Sequence, residues 1–282
     1  MTPGDVFTDR SFDPFCERGV LAAIYELADF SHSKAMADLV TAGKWKSEML
    51  IALGKVGLPR YANFIGRYKD DPEPEVRRAV ATGLGLIDND AVSIPVLIQL
   101  LTRAAPGDFI VRWEASESLV RLAKRKAAET VRRRLFELTQ ETDQMTVALA
   151  ARALALAGDA RGVPKLRDLT RAAETNVRQE AVLALAAVTD KGSKDVLVRR
   201  LTDESLAVRA CAIFALGQLG DPALAPVLRQ ALQTSLEYEG ELERRKQRGE
   251  SEQMLAEKYG FGVFDLRQTL EQALATTAPK PR

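Results

Sequence analysis

The chain has little of what usually carries chemistry. His32 is the only histidine among 282 residues, and the two cysteines, Cys16 and Cys211, lie far apart. Without a Cys pair at ligand spacing or a second histidine, an ordinary zinc site is excluded, and so is a disulfide framework. Cys211 stands among Ala210, Ala212 and Ile213 and reads as a small buried hydrophobe. Cys16 has only Arg18 nearby to lower its pKa. No glycine-rich phosphate loop is present, because Gly260 and Gly262 lack the strand such a motif needs. Aromatics make up only 6% of the chain, so the 46% that is hydrophobic is mostly aliphatic and builds a core of Ala, Leu, Val and Ile, which favours helix. The net charge of +1 supplies no global field for nucleic acid or membrane. No apolar run reaches bilayer-spanning length, and the opening MTPGDVFTDRSFDPF shows no basic then apolar leader, so the expected location is cytoplasmic.

What the chain does have is one pattern written about six times. Residues 71–87 read DPEPEVRRAVATGLGLI and residues 203–219 read DESLAVRACAIFALGQL, with ETNVRQEAVLALAAV at 174–188 and a looser copy at 141–157. Val76-Arg77 is matched by Val111-Arg112, Val177-Arg178 and Val208-Arg209, by Val147-Ala148, and by Trp45-Lys46. Successive anchors are 31, 35, 36, 30 and 31 residues apart. After each comes a turn signal, such as Asp88-Asn89-Asp90 or Gly220-Asp221-Pro222, and then a shorter apolar stretch with Pro95, Pro164 or Pro226 near its start. Proline there suits the first turn of a helix, where its missing N–H is not needed. Asp71 and Asp221, each before a proline, read as N-caps. Each unit is therefore an A helix followed by an antiparallel B helix. No segment alternates with period two, and the chain reads as all α.

The string D-P-x-x-x-V-R-x-A-x-x-x-L-G followed by D-x-x-x-x-P-x-L resembles the short HEAT-like repeat of the phycobilisome-lyase type, over roughly residues 40–232. The resemblance implies a right-handed α-solenoid, a superhelix of about six to seven helix pairs with atypical helical caps at both ends. The expected divisions are an extension and degenerate capping repeat at 1–41, the solenoid at 42–232, a charged helix and capping helix at 233–275, and a disordered tail at 276–282. Within the first and third of these, amphipathic helices are expected at 17–29, 33–41 and 263–275. Another HEAT-like family, deoxyhypusine hydroxylase, carries several His-Glu pairs for a di-iron site, and this sequence has none.

Function then rests on surface residues. The recurring arginines at 77, 112, 178 and 209 read as a stacking ladder, each bonded to an aspartate or carbonyl of a neighbouring unit. Positive charge is concentrated in 121–200, which holds 17 Lys and Arg against 10 Asp and Glu. Aligned on the prolines, Arg133 and Arg199 share one row of the B helices, and Arg132, Arg167 and Arg229 the next. With Lys165 these form a candidate basic trough on the B-helix face, which in such solenoids is concave. The leading expectation is a non-enzymatic scaffold or adaptor that docks a protein partner with an acidic surface there, with no catalytic residue, metal or cofactor. The alternatives are a bilin lyase or phycobiliprotein chaperone, implied by the repeat type, and a nucleic-acid binder or HEAT-like DNA glycosylase. For the bilin reading the candidate is Trp113 in VRWEASESL (111–119), although core packing is the first expectation for that residue.

Overall fold

The computed structural model describes residues 30–231 except Pro106, Lys126 and Ala127, and beyond them only Gln233, Thr234, Arg244, Arg248, Gln272, Ala273, Ala275 and Thr276. The amphipathic helix expected at 17–29, and most of 233–275 and 276–282, lie outside the described residues. All regular structure among the described residues is helical. In chain order the helices are α1 (Ser33–Thr41), α2 (Lys46–Val56), α3 (Tyr61–Gly66), α4 (Pro74–Leu86), α5 (Asp90–Thr102) and α6 (Phe109–Ala123). There follow α7 (Glu129–Leu138), α8 (Gln144–Leu156), α9 (Gly162–Leu169), α10 (Thr175–Val188), α11 (Lys194–Arg200) and α12 (Leu206–Leu219). Residues 225–231 are also helical.

The chain divides into two compact units, Met1–Val131 and Arg132–Arg282. In the first, the A helices α2, α4 and α6 lie side by side in that order, α1 packs on α2, and the B helices α3 and α5 pack on each other and on α4. In the second, α8, α10 and α12 form the A row, α9 packs against α8 and α10, and α11 packs against α12. Consecutive pairing of this kind is what an α-solenoid requires: each pair buries one face against the pair before it and the other against the pair after.

Local chemistry explains the boundaries. Pro74 opens α4 at a position where a missing N–H costs nothing. Asp143 caps α8 by accepting from Thr146 N at 3.0 Å. Gly57 and Gly220 end α2 and α12 in the left-handed conformation that glycine adopts freely. Two sequence expectations need correction. Pro95 does not sit in a first turn; α5 begins at Asp90, so Pro95 lies inside the helix, on its exposed side. There the carbonyl it leaves unbonded can be hydrated. Asp71 is not a helix N-cap either. Its Oδ1 accepts from Glu73 N at 3.0 Å, one turn before α4 starts. Asp221 does cap, accepting from Ala223 N at 2.9 Å at the start of a short 3-10 turn.

The core is aliphatic throughout, with Leu53, Leu84, Leu119, Leu154, Leu185 and Leu216 all at most 1% exposed. These are the leucines that close the apolar face of each A helix.

Candidate functional site

Two of the recurring arginines, Arg77 and Arg178, are anchored on both sides. Arg77, buried near the start of α4, donates to the carbonyls of Asp71 (2.6 Å) and Pro72 (2.9 Å) behind it and pairs with the fully buried Asp108 ahead of it. Arg178 repeats the arrangement: it donates to Ala172 O (3.0 Å) and Ala173 O (2.9 Å) and forks onto Asp203 at 3.1 and 3.0 Å. Arg112 donates to Leu101 O at 2.8 Å and Arg209 to Asp203 O at 2.5 Å. Lys46 takes the same place in the first copy of the pattern, 3.1 Å from Asp71. Arg77 and Arg178 thus bond carbonyls that follow the preceding B helix and also reach a carboxylate of an inter-repeat turn, Arg112 and Arg209 bond such a carbonyl, and Lys46 reaches such a carboxylate. A second arginine, from the end of a B helix, often joins: Arg103 on Asp108 (2.9 Å) and Arg200 on Asp203 (3.3 Å).

A second ladder runs through the turns between A and B helices. Arg167 holds Asp190 at 2.5 Å, Lys194 holds Asp221 at 2.6 Å, and Arg161 holds Asp159 at 2.6 Å. In the first unit Arg125 lies 3.3 Å from Asp88 and donates to Ile87 O at 3.2 Å. The carboxyls respond. Asp159 is held below the usual carboxylate range, first by the hydrogen bond from Arg161, with the charge of Arg132 adding to it. Asp221 is lowered first by its bond from Lys194. For Asp190, burial alone pushes the carboxyl up, but the bonds from Ser193 and Arg167 together outweigh it, and the carboxyl is lowered.

A pH prediction follows for Asp190. A carboxyl lowered in the folded state adds stability above the unfolded value of about 3.9, and that stability is lost as pH falls through the folded value. Asp190→Asn should therefore melt below the wild type at pH 7, and the gap between them should narrow once pH falls to about 4 and go on closing as pH passes below that through the lowered folded value. Thermal unfolding of the two proteins across that range measures it; a constant gap would show that the carboxylate charge is not what the ladder uses.

These ladders sort the sequence-predicted site residues. Arg167 is committed to Asp190 and Ser193 and so helps hold the repeats, and the charge of Arg132 adds to the lowering of Asp159. Arg133 is 68% exposed, with Glu137 one turn away at 3.9 Å. Arg199 and Arg229 are exposed and Lys165 is half-buried, and none of the three has a partner among the described residues.

The rows expected from the prolines are also corrected. Thr139 Oγ1 donates to Phe136 O and Thr170 Oγ1 to Arg167 O, both at 2.7 Å, and Leu135 and Leu166 are both fully buried. Arg167 therefore aligns with Phe136, not Arg132. Carried onward through the buried Leu197 and Leu228, the same register keeps Arg229 in the row of Arg167. It aligns Arg199 with Asp168 and Glu137, and Arg133 with Pro164. The B-helix face is a set of separate cations with carboxylates among them, not two unbroken basic rows.

Trp113 is 36% exposed, at the surface and not in the core. Phe109 (48%) and Ile110 (57%) flank it on the same side of α6, an exposed apolar group that sequence reasoning missed. The i, i+1, i+4 spacing was readable, but a core explanation of Trp113 concealed it. Cys211 is fully buried, and its thiol is pushed up to about 12 by burial and by the charge of Glu180. It therefore stays a protonated apolar filler. Among the described residues no group of three or more His, Cys, Asp or Glu is placed to hold a metal, and no helix is long and apolar enough to cross a membrane.

Comparison with known proteins gives one clear match. The model of HEAT repeats fits at residues 42–120, 64–135, 94–186 and 169–239. No curated protein matches. Among solved structures, an engineered protein aligns at 22% identity and a TM-score of 0.43, over 77% of this chain and 96% of its own. The complex of CpcE and CpcF of phycocyanin lyase from Nostoc aligns at 19% and 0.43, over 87% and 94%. Human deoxyhypusine hydroxylase aligns at 18% and 0.36, over 97% and 94%.

Proposed function

We propose, for a chain that belongs to the HEAT-repeat family, the role of a non-enzymatic scaffold that docks an acidic protein surface on the B-helix face of its second unit. One observation carries this reading. The ladders engage Arg161, Arg167, Lys194 and Arg200, whereas Lys165, Arg199 and Arg229 of the same unit have no side-chain partner among the described residues. A solvent-facing cation with no structural duty is free to meet a carboxylate of another molecule, and such rim charges mainly set encounter rate and salt dependence. Arg133, which shares Glu137 with Arg134, extends the same surface.

The test is binding of a labelled glutamate- and aspartate-rich peptide by fluorescence anisotropy at low and at physiological salt. The wild type should bind with an affinity that falls as salt rises. Arg199→Glu with Arg229→Glu should weaken binding about tenfold or more while leaving helicity and melting unchanged. Equal binding by the double variant would overturn the reading.

A further inference from the structure

The last described A helix, α12, is buried over most of its surface, with Gln218 its one exposed residue. Ala210, Cys211, Ile213, Leu216 and Gly217 point in different directions, and all are at most partly grazed by solvent. Yet α10, which is covered equally well, lies between two A helices, whereas among the described residues α12 has an A helix only on the α10 side. Part of the remaining cover comes from the C-terminal segment. Ala273 is 2% exposed and belongs to the apolar cluster that contains Cys211, Leu216 and Leu228. A Cβ placed on Gly217 would lie 2.7 Å from Ala273 Cβ and 2.8 Å from its Cα. Thr276 Oγ1 donates to Gly217 O at 2.9 Å.

This contact repeats how the A helices stack on one another. Where α4 meets α6, a small residue, Gly85, faces Ser118, and Ser118 Oγ donates to a carbonyl of the earlier helix, Ala81 O, at 2.8 Å. On α12 the small residue is Gly217, and the hydroxyl reaching an A-helix carbonyl is that of Thr276. Ala273 and Thr276 thus meet α12 as the A helix of a further repeat would. Counting from the Val177 and Val208 anchors, Ala186 holds the matching place one repeat earlier, so the seat on α12 is one methyl group deeper.

We propose that the far side of α12 is a docking seat for the helix bearing Ala273 and Thr276, and that a second copy of the chain fills it with its own segment when the resident one is displaced. Exchange of an identical element reuses every native contact, which makes it a low-cost route to a dimer. Forty residues, 232–271, separate the segment from residues 225–231, and a chain can span at most about 3.3–3.6 Å per residue. The resident segment wins at low protein concentration because its tether gives it a high effective concentration.

Two complementary variants test this in the full chain. Ala273→Glu spoils the segment and leaves the seat intact; Gly217→Val fills the seat and leaves the segment intact. Each alone should keep the wild-type mass by light scattering, and a mixture at micromolar concentration should form a one-to-one complex of twice that mass. Two unchanged species in the mixture, with both variants fully helical by circular dichroism, would overturn the proposal. If Gly217→Val fails to fold, a peptide of residues 263–282 is titrated onto the Ala273→Glu chain instead. Saturable binding of that peptide supports the seat, and its absence overturns it.

Discussion

Arg178→Met is expected to destabilise the second unit by about 3–5 kcal/mol, the usual cost of removing one member of a buried ion pair. The arginine and its partner are 4% and 7% exposed. The loss has two sources. Asp203 keeps Arg200 at 3.3 Å but loses the two-pronged bond that satisfied both its oxygens. The carbonyls of Ala172 and Ala173, each bonded by Arg178 Nη1, lose their donor at the end of the B helix. Methionine fills similar volume, so a cavity contributes little and the measured change reports the polar network. The control is Arg199→Met, an exposed arginine on α11 with no side-chain partner among the described residues, whose change should stay within about 0.5 kcal/mol. Urea unfolding followed by circular dichroism gives both values. A cost below about 1 kcal/mol for Arg178→Met would place the cohesion of the repeats in the leucine core and not in the ladder.

The contrast between those two arginines also shows what could be read without a structure. Arg178 was legible because an arginine recurs at that place in four of the six copies, with Lys46 in a fifth, and a residue that recurs at one place of a repeat is explained by the stacking that the repeats share. The partners were legible in kind, aspartate or carbonyl, since those are what a buried guanidinium can use. The all-helical fold and the pairing followed from the same periodicity.

The B-helix surface was harder, for a physical reason. Proline was used as the ruler there, but proline is tolerated anywhere in a first turn and, as Pro95 shows, further in when it faces solvent. It does not fix a register. The buried leucines Leu135, Leu166, Leu197 and Leu228 do, because each must point inward, and they displace Arg132 and Arg133 by four residues from the rows the prolines suggested. The second ladder was missed because its aspartates stand in turns, where sequence alone reads them as capping groups. Capping and pairing are compatible, and Asp221 does both, accepting from Ala223 N and from Lys194.

Gly54→Ala should lower stability although alanine is favoured over glycine within a helix by about 1 kcal/mol. Gly54 lies in α2, where α4 crosses it. A Cβ there would stand 2.5 Å from Gly83 Cα, 2.6 Å from its carbonyl oxygen and 2.9 Å from its carbonyl carbon. All three atoms are backbone, so no rotamer change relieves the contact, and the helices must separate. Separation opens the Leu50 and Leu53 layer of the first unit, both residues being fully buried. Overpacking of this kind costs about 1–3 kcal/mol, and more where only main chain can move, so the sign opposes intrinsic propensity. Gly66→Ala is the matched test in the same unit. Its nearest neighbours would be side-chain methyls, Val96 Cγ2 at 3.6 Å and Val92 Cγ1 at 3.9 Å, which is ordinary contact. That substitution should leave the melting temperature unchanged or raise it. If both glycines respond alike, propensity and not the close approach of α2 to α4 decides stability at Gly54; opposite signs require the two backbones to touch there.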